Sequence, residues 1–569
     1  MRSKQTLLPL LALAALALAQ VGAAKGTATG SFRDRDGRTH AWEIRRSHTL
    51  VWDGEPYVPV GVAVAPASLA APGAESLAED EATLDRLRAA GVRDLWIDPR
   101  RPLVDCPVPA IQQLVDALEQ RGFRYGLALQ GRDLAPMVGA TALGEPIPIA
   151  AGELRPGTTF RREVAAPDAL RVHYTLVLMI DPEQGEPVAS GTARVEQGKA
   201  VIEIPLPASR SLLSRFAATL WLAAEREVAP EETTGFADLW GGLRQYQTRL
   251  IDHLKQIRFG PGLRFLISPF DAGAGLQGAE ETVVPASEAF RAEFAAWLKA
   301  DVGPAQLSTR WGMRGRATYD MSVAARLVPT WEAGDPPGGF CWLMDPIGGQ
   351  AYAVTPRRSR FWRDLRDFRI ASLRRAMDEI AVALKQAGFD LPILYEWDGY
   401  HPVFANTPSP MGYDGLACVV RGRGPSLATE VGAAALALAE ESDRNSWLVA
   451  TRMQGDPAAP GYASADQFRQ DCAALAEAHF RGFFVDGTAT RDGPVAAAAI
   501  VGSAGLPPLT ETAPATCFFP ALLPNLGQPR RFANGVWWLP SIANARQVVL
   551  GDDLAGYEIA WPFGRDRGD

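Results

Sequence analysis

The sequence predicts a (β/α)8 TIM barrel with a β-sandwich inserted after its third strand and a small C-terminal β-appendage. Three observations point there. Short apolar runs alternate with amphipathic segments, glycines stand directly behind several of those segments, and the runs that read as parallel strands number eight. Eight is the count that closes such a barrel.

The chain divides accordingly. Residues 1–24 read as a signal peptide, with Arg2 and Lys4, an apolar stretch Leu7–Ala19 and the small-residue site Val21-Gly22-Ala23. That pattern predicts a secreted or periplasmic protein, and the apolar run is short for a membrane span. Residues 25–55 read as a β-hairpin, with turns at Asp36-Gly37 and Asp53-Gly54. The first part of the barrel is expected over 56–146, the sandwich over 147–229, the second part of the barrel over 230–505 and the appendage over 506–569.

Within the first part, strands are expected at Pro56–Val64, Val92–Asp98 and Tyr125–Gln130, separated by helices at Asp80–Ala90 and Ala110–Arg121 with Gly91 and Gly122 behind them. The pattern then shifts to period two in Leu170–Leu178, Thr192–Val195, Ala200–Ile204 and Ala217–Leu222, the signature of the inserted sandwich. Helical periodicity resumes at Ala237–Ile257 and leads into strand four, which ends at Phe270-Asp271. After the helix Ser287–Ala300, a loop-rich excursion runs to about Thr355 and carries Trp311, Trp331 and Trp342. The helix Phe361–Ala387 precedes strands five (Leu391–Glu396) and six (Gly415–Val420). The helices Leu427–Glu441 and Ala465–His479 introduce strands seven (Ser446–Thr451) and eight (Gly482–Asp486).

Composition narrows the chemistry. With 57 Lys+Arg against 65 Asp+Glu and no long basic run, the chain lacks the electrostatic footprint of a nucleic-acid binder. Five scattered cysteines and six scattered histidines, without CxxC, HxH or HExxH spacing, predict neither a disulfide framework nor a metal site. No cofactor is implied. The partner expected is a carbohydrate, with no membrane association once the leader is cleaved.

Active sites of these barrels lie at the C-terminal strand ends. The residues there are Asp98, Gln130, Asp271, Glu396, Arg452 and Asp486, with Trp397, Asp398, Tyr400 and His401 continuing from strand five. Carboxylates ringed by aromatics suit a sugar, whose apolar faces stack while its hydroxyls need polar partners. Glycoside cleavage needs two carboxyls, one protonated and one ionised. Asp271 and Glu396, on neighbouring strands, are the expected catalytic pair; Asp98, Gln130, Trp397, Asp398, Tyr400, Arg452 and Asp486 are the expected substrate contacts.

The segment Ala289–Gly303, continuing through Leu307 to Trp311-Gly312, resembles the "FRxWLxxxYGTxxxLNxAWG" stretch of family 42 β-galactosidases. Trp52–Gly61 is similar to the "dGkPfxpiGv" lead-in of several clan A glycoside hydrolases, and the helix Trp362–Lys385 fits the same architecture. The resemblance implies hydrolysis of O-glycosidic bonds, β-galactosidase-like, through a Glu after Asn on strand four and a nucleophilic Glu on strand seven. This chain has Phe270-Asp271 at the first position and Val449-Ala450-Thr451-Arg452-Met453-Gln454 at the second, with no carboxylate. Two readings follow. Either the protein is a hydrolase with a rearranged pair, Asp271 with Glu396 or Asp486, or it is an inactive barrel that binds glycans or acts as an interaction scaffold. Arg452 holds a carboxylated sugar in one reading of that position and pairs with Asp486 in the other.

Overall fold

The computed structural model describes residues 26–129, 137–150, 152–179, 185–208, 217–228, 239–270, 283–313, 320–331, 341–355, 359–397, 412–421, 435, 439, 444–455, 461–490 and 492–504, with four short strands beyond 529. The predicted signal peptide lies outside the described residues.

Eight parallel strands close into a barrel: Val60–Val64, Asp94–Ile97, Arg124–Ala128, Leu263–Ile267, Ile393–Trp397, Gly415–Arg421, Trp447–Gln454 and Phe483–Asp486. Closure is made by strand eight on strand one, with Phe483 opposite Val60 and Asp486 opposite Ala63. These strands are apolar almost throughout because helices cover one face and the barrel interior the other. The interior is packed solid. Trp96 meets Phe265 and Phe484 at ring separations of 5.9 and 5.6 Å, and Phe265 meets Trp447 at 5.2 Å. Gly126 makes room for this cluster: a β-carbon there would stand 2.0 Å from the Phe265 ring.

The helices between strands follow the predicted periodicity, at Ala74–Ala89, Val108–Gln120, Leu243–Leu254, Phe361–Gln386 and Ala465–Glu477. Of the predicted helix at 427–441, only Ala435 and Ala439 are described, both helical. A further helix, Gly493–Ser503, follows strand eight and packs on strands one and eight.

The N-terminal hairpin is corrected to a four-stranded meander, Ala28–Arg33, Thr39–Ile44, Leu50–Trp52 and Glu55–Tyr57. The segment read as one strand, Pro56–Val64, contains two, broken at Val58-Pro59 because proline cannot donate to a ladder. The meander seals the N-terminal end of the barrel. Tyr57 Oη donates to Asp94 at 2.9 Å, Asn445 Nδ2 donates to the Ile44 carbonyl at 3.2 Å, and the Arg264 guanidinium lies 4.5 Å from the Trp52 ring centre. The opposite, C-terminal end is thereby left as the mouth.

The insertion is built on long antiparallel strands, Arg171–Met179, Gly185–Glu196, Lys199–Pro205 and Ala218–Val228, joined by Met137–Ala142, Ile147–Ile149 and Thr159–Ala165. Gly185–Glu196 pairs with Arg171–Met179 over most of its length and with Lys199–Pro205 at its end, so one strand serves both leaves. Ile149, Val172, Leu176, Ile202, Ile204 and Leu220 lie buried in one core between them.

The excursion read as loop-rich contains a three-stranded sheet, Val328–Trp331, Cys341–Met344 and Ala351–Val354. Its strands are too short to show a period. Trp342 from this sheet packs on Trp221 of the insertion at 5.3 Å. At the C-terminal end, two pairs are described, Arg530–Arg531 with Trp537–Trp538 and Ile559–Trp561 with Gly564–Asp566. Cys106, Cys341, Cys418 and Cys472 are buried thiols that form no disulfide among the described residues. Among the described residues, no His, Cys, Asp or Glu cluster is arranged to hold a metal, and no helix is long and apolar enough to cross a membrane.

Candidate functional site at the barrel mouth

Strand seven is irregular where it reaches the mouth. Its register slips against strand six between Val419 and Arg421, and against strand eight between Ala450 and Met453. Arg452 sits inside this bulge with φ 47°, a left-handed conformation that a side-chain-bearing residue holds only when its surroundings impose it. Bulges beside active sites re-aim side chains. Here the bulge turns the Arg452 guanidinium across the barrel: Nε donates to Glu396 Oε1 at 2.6 Å and Nη2 donates to Asp98 Oδ2 at 2.8 Å. Burial disfavours the charged guanidinium, but the two carboxylates outweigh it and hold the arginine pKa above its usual value.

The partners are fixed in turn. The Asp98 side chain is only 2% exposed, and its Oδ1 accepts from the Arg100 amide at 2.9 Å. Arg100 is itself left-handed, with φ 60°. On strand five, the Glu396 amide donates to Ser268 Oγ at 3.1 Å, and Ser268, just past strand four, has φ 42°. Three non-glycine residues in left-handed conformations therefore surround one ionic cluster. Such strain persists where neighbouring structure over-determines the backbone, and it concentrates at functional sites.

Asp486 is not the hydrogen-bonded partner of Arg452, so of the two readings of that arginine the pairing with Asp486 does not hold. Because strand seven re-registers at Met453 opposite Val485, Gln454 is the residue brought beside Asp486. Gln454 Nε2 donates to Asp486 Oδ2 at 2.6 Å, while the Thr488 amide and hydroxyl donate to Oδ1 at 2.8 and 2.7 Å. Burial pushes the Asp486 carboxyl up, but the Thr488 and Gln454 hydrogen bonds and the nearby Arg452 charge bring it below its ordinary value.

A cavity of about 430 Å³ opens over this cluster, lined by Asp98, Arg100, Arg101, Pro102, Arg421, Arg452, Gln454, Asp486 and Thr488. That is a size suited to a small ligand. A second hollow of about 300 Å³ adjoins it at Thr488. Four of the residues singled out from sequence thus meet at the mouth: Asp98, Glu396, Arg452 and Asp486. Trp397 ends strand five, with its backbone opposite Cys418. Gln130, Asp271, Asp398 and Tyr400 lie outside the described residues, and so does the Asp271 half of the expected catalytic pair. Sequence reasoning passed over Arg100, Arg101, Arg421, Gln454 and Thr488. The adjacent Arg100-Arg101 directly after a strand-end aspartate was a legible signal, as was the Asp486-x-Thr488 spacing of an Asx-type turn.

Chemically, the cluster offers hydrogen-bond acceptors at Asp98 and Asp486, a donor amide at Gln454 and several guanidinium forks. It offers no nucleophile from strand seven, because a guanidinium is a donor only.

No family model and no curated protein sequence matches the chain. Among solved structures, it is similar to a β-galactosidase from the Antarctic haloarchaeon Halorubrum lacusprofundi, at 12% identity and a TM-score of 0.40, over 78% of this chain and 57% of that one. It is also similar to a β-1,4-D-mannanase from Cryptopygus antarcticus, at 8% identity and a TM-score of 0.33, over 86% of this chain and 98% of that one. A β-mannanase from the blue mussel Mytilus edulis shows 8% identity and a TM-score of 0.28, over 84% and 97%. The chain spans little more than half the length of the haloarchaeal enzyme. Likeness at this level assigns no role to any residue of the mouth, and the family 42 resemblance stays confined to the sequence motifs.

Proposed function

We propose that this protein is a barrel of the glycoside hydrolase type that binds a carbohydrate without cleaving it. The observation that carries the reading is Arg452, which stands on strand seven where the resemblance calls for a nucleophile and spends its guanidinium on Asp98 and Glu396. Retaining hydrolysis needs an attacking carboxylate at that position. Asp98, Asp486, Gln454 and Thr488 supply the polar groups a saccharide ring requires. Export belongs to the same proposal and rests on residues 1–24; N-terminal sequencing of the protein recovered from cells tests it, and an intact Met1 in the folded product would count against it.

A hydrolytic reading is favoured by one feature of the same cluster. A single guanidinium bridges Asp98 and Glu396, so two carboxyls approach closely enough for paired acid work of the β-galactosidase kind. One experiment separates the two readings: calorimetric titration with neutral oligosaccharides beside a turnover assay on aryl β-galactosides and β-mannosides. Binding without turnover supports the proposal. Turnover that Glu396→Gln abolishes overturns it in favour of hydrolysis.

A further inference from the structure

We propose that the hollow of about 300 Å³ beside the mouth is a second ligand site, and that it takes a small organic ammonium with an apolar body. The hollow stands outside the barrel wall, lined by residues of strands one and two and of the helices Ala74–Ala89 and Val108–Gln120. Side chains alternate along a strand, so Ile97 faces this layer while Trp96 fills the barrel interior. The floor is apolar: Val64, Leu84, Leu87, Ile97 and Leu114 are each at most 5% exposed. An apolar cavity of about 150 Å³ holds benzene. The larger hollow has room for one ring with a short side chain.

The rim on the side of the mouth is fixed in place. Gly487, just past strand eight, donates its amide to the Ala63 carbonyl at 3.0 Å, and a β-carbon there would stand 2.6 Å from that oxygen. Thr488 follows and lines both the hollow and the mouth cavity. Its amide and hydroxyl are held on Asp486. The two cavities therefore share one anchored residue as a wall, and the hollow is preformed, as small-molecule sites usually are.

Asp80 selects the head group. It lines the hollow and is 8% exposed. Oδ1 accepts from the Ala67 amide at 2.8 Å and Oδ2 from the Ser68 amide at 2.9 Å, which ties down the start of the short helix Ala67–Ala70. An ionised carboxylate has about four lone-pair sites, so these two bonds leave acceptor capacity on each oxygen. Both amides are neutral. Burial raises the Asp80 pKa, the bonds from Ser68 and Ala67 lower it, and the neighbouring Glu79 charge raises it again, with the balance above the ordinary value. An ammonium offers three donors and the opposite charge, and charge-assisted bonds are stronger than neutral ones. A carboxylate-bearing ligand would meet Asp80 and Glu79, and among the described residues lining the hollow there is no lysine or arginine to receive it.

The test is calorimetric titration of the full chain at neutral pH with phenethylammonium, phenethyl alcohol, hydrocinnamate and ethylammonium. Phenethylammonium is expected to bind at least about tenfold tighter than each of the other three. Thr83→Phe, which lays a ring into the hollow from the helix Ala74–Ala89, should abolish that binding and keep the wild-type circular dichroism. A comparison probe that binds as tightly as phenethylammonium overturns the proposal, because it lacks either the cationic head or the apolar body. Binding of none of the four, or binding undiminished by Thr83→Phe, overturns the site itself. Should the variant not fold, methyl NMR of the wild type decides. Phenethylammonium should shift the methyls of Leu84, Leu87, Ile97 and Leu114, and shifts confined to other methyls overturn the proposal. No outcome depends on a saccharide, so the carbohydrate reading stands or falls separately.

Discussion

Arg452 on strand seven reaches over strand six to Glu396 on strand five, with Nε 2.6 Å from Oε1, while its Nη2 crosses to Asp98 just past strand two. The ionic cluster therefore ties together strands that are not neighbours in the barrel.

Removing Arg452 leaves two carboxylates facing each other, one of them Asp98 with its side chain 2% exposed. Breaking a buried pair by deleting one partner costs about 3–5 kcal/mol, because the remaining charge is uncompensated. Arg452→Met should lose about that much in urea unfolding with an unchanged m-value. A loss below about 1 kcal/mol would show that water, not Arg452, solvates these acids in solution.

Gly126→Ala addresses the barrel interior. The added methyl would stand 2.0 Å from the Phe265 ring, which already packs on Trp96 and Trp447. Overpacking of this kind costs about 1–3 kcal/mol. Equilibrium unfolding measures it, and a variant as stable as the wild type would mean that the ring has room to move aside.

The barrel was legible because its strands are apolar runs bounded by glycines, and Phe483–Asp486 or Gly415–Arg421 announce themselves in any window. The mouth was half legible. Acids at strand ends stand out, so Asp98, Glu396 and Asp486 were found, but the partner of Arg452 was not. That partner depends on the bulge at Ala450–Met453, which shifts register by a residue and leaves no mark in composition. The Arg100-Arg101 pair was missed for a different reason: attention to carboxylates and aromatics passed over it. The sheet holding Trp342 was missed because strands of four residues show no alternation.

Glu225 is the joint between the insertion and the helix Glu288–Asp301. Arg171 and Arg291 reach it at 3.0 and 3.2 Å, with His173 alongside at 3.1 Å. Burial pushes its carboxyl up, but the His173 contact and the Arg291 guanidinium bring it below the usual glutamate value. Glu225→Gln keeps the shape and removes the charge, leaving Arg291 facing its other neighbours across the joint. About 3 kcal/mol of lost stability is expected, together with earlier proteolytic release of the insertion. Digestion no faster than that of the wild type would place the joint elsewhere, with Trp221–Trp342 the next contact to test.

Asp486 sets an acid-side limit on stability. Burial raises its pKa, yet the Thr488 amide and hydroxyl, the Gln454 amide and the Arg452 charge lower it further, so its net position is below 3.8. A carboxyl depressed in the folded state stabilises the protein above its unfolded pKa and loses that contribution as pH falls through the folded one. As pH falls through the carboxylate range, stability should therefore drop more steeply in the wild type than in Asp486→Asn. Urea midpoints at several pH values across that window measure the difference. Parallel curves would mean that Asp486 titrates as it does in the unfolded chain, and that the hydrogen bonds from Thr488 and Gln454 do not discriminate the carboxylate from the acid.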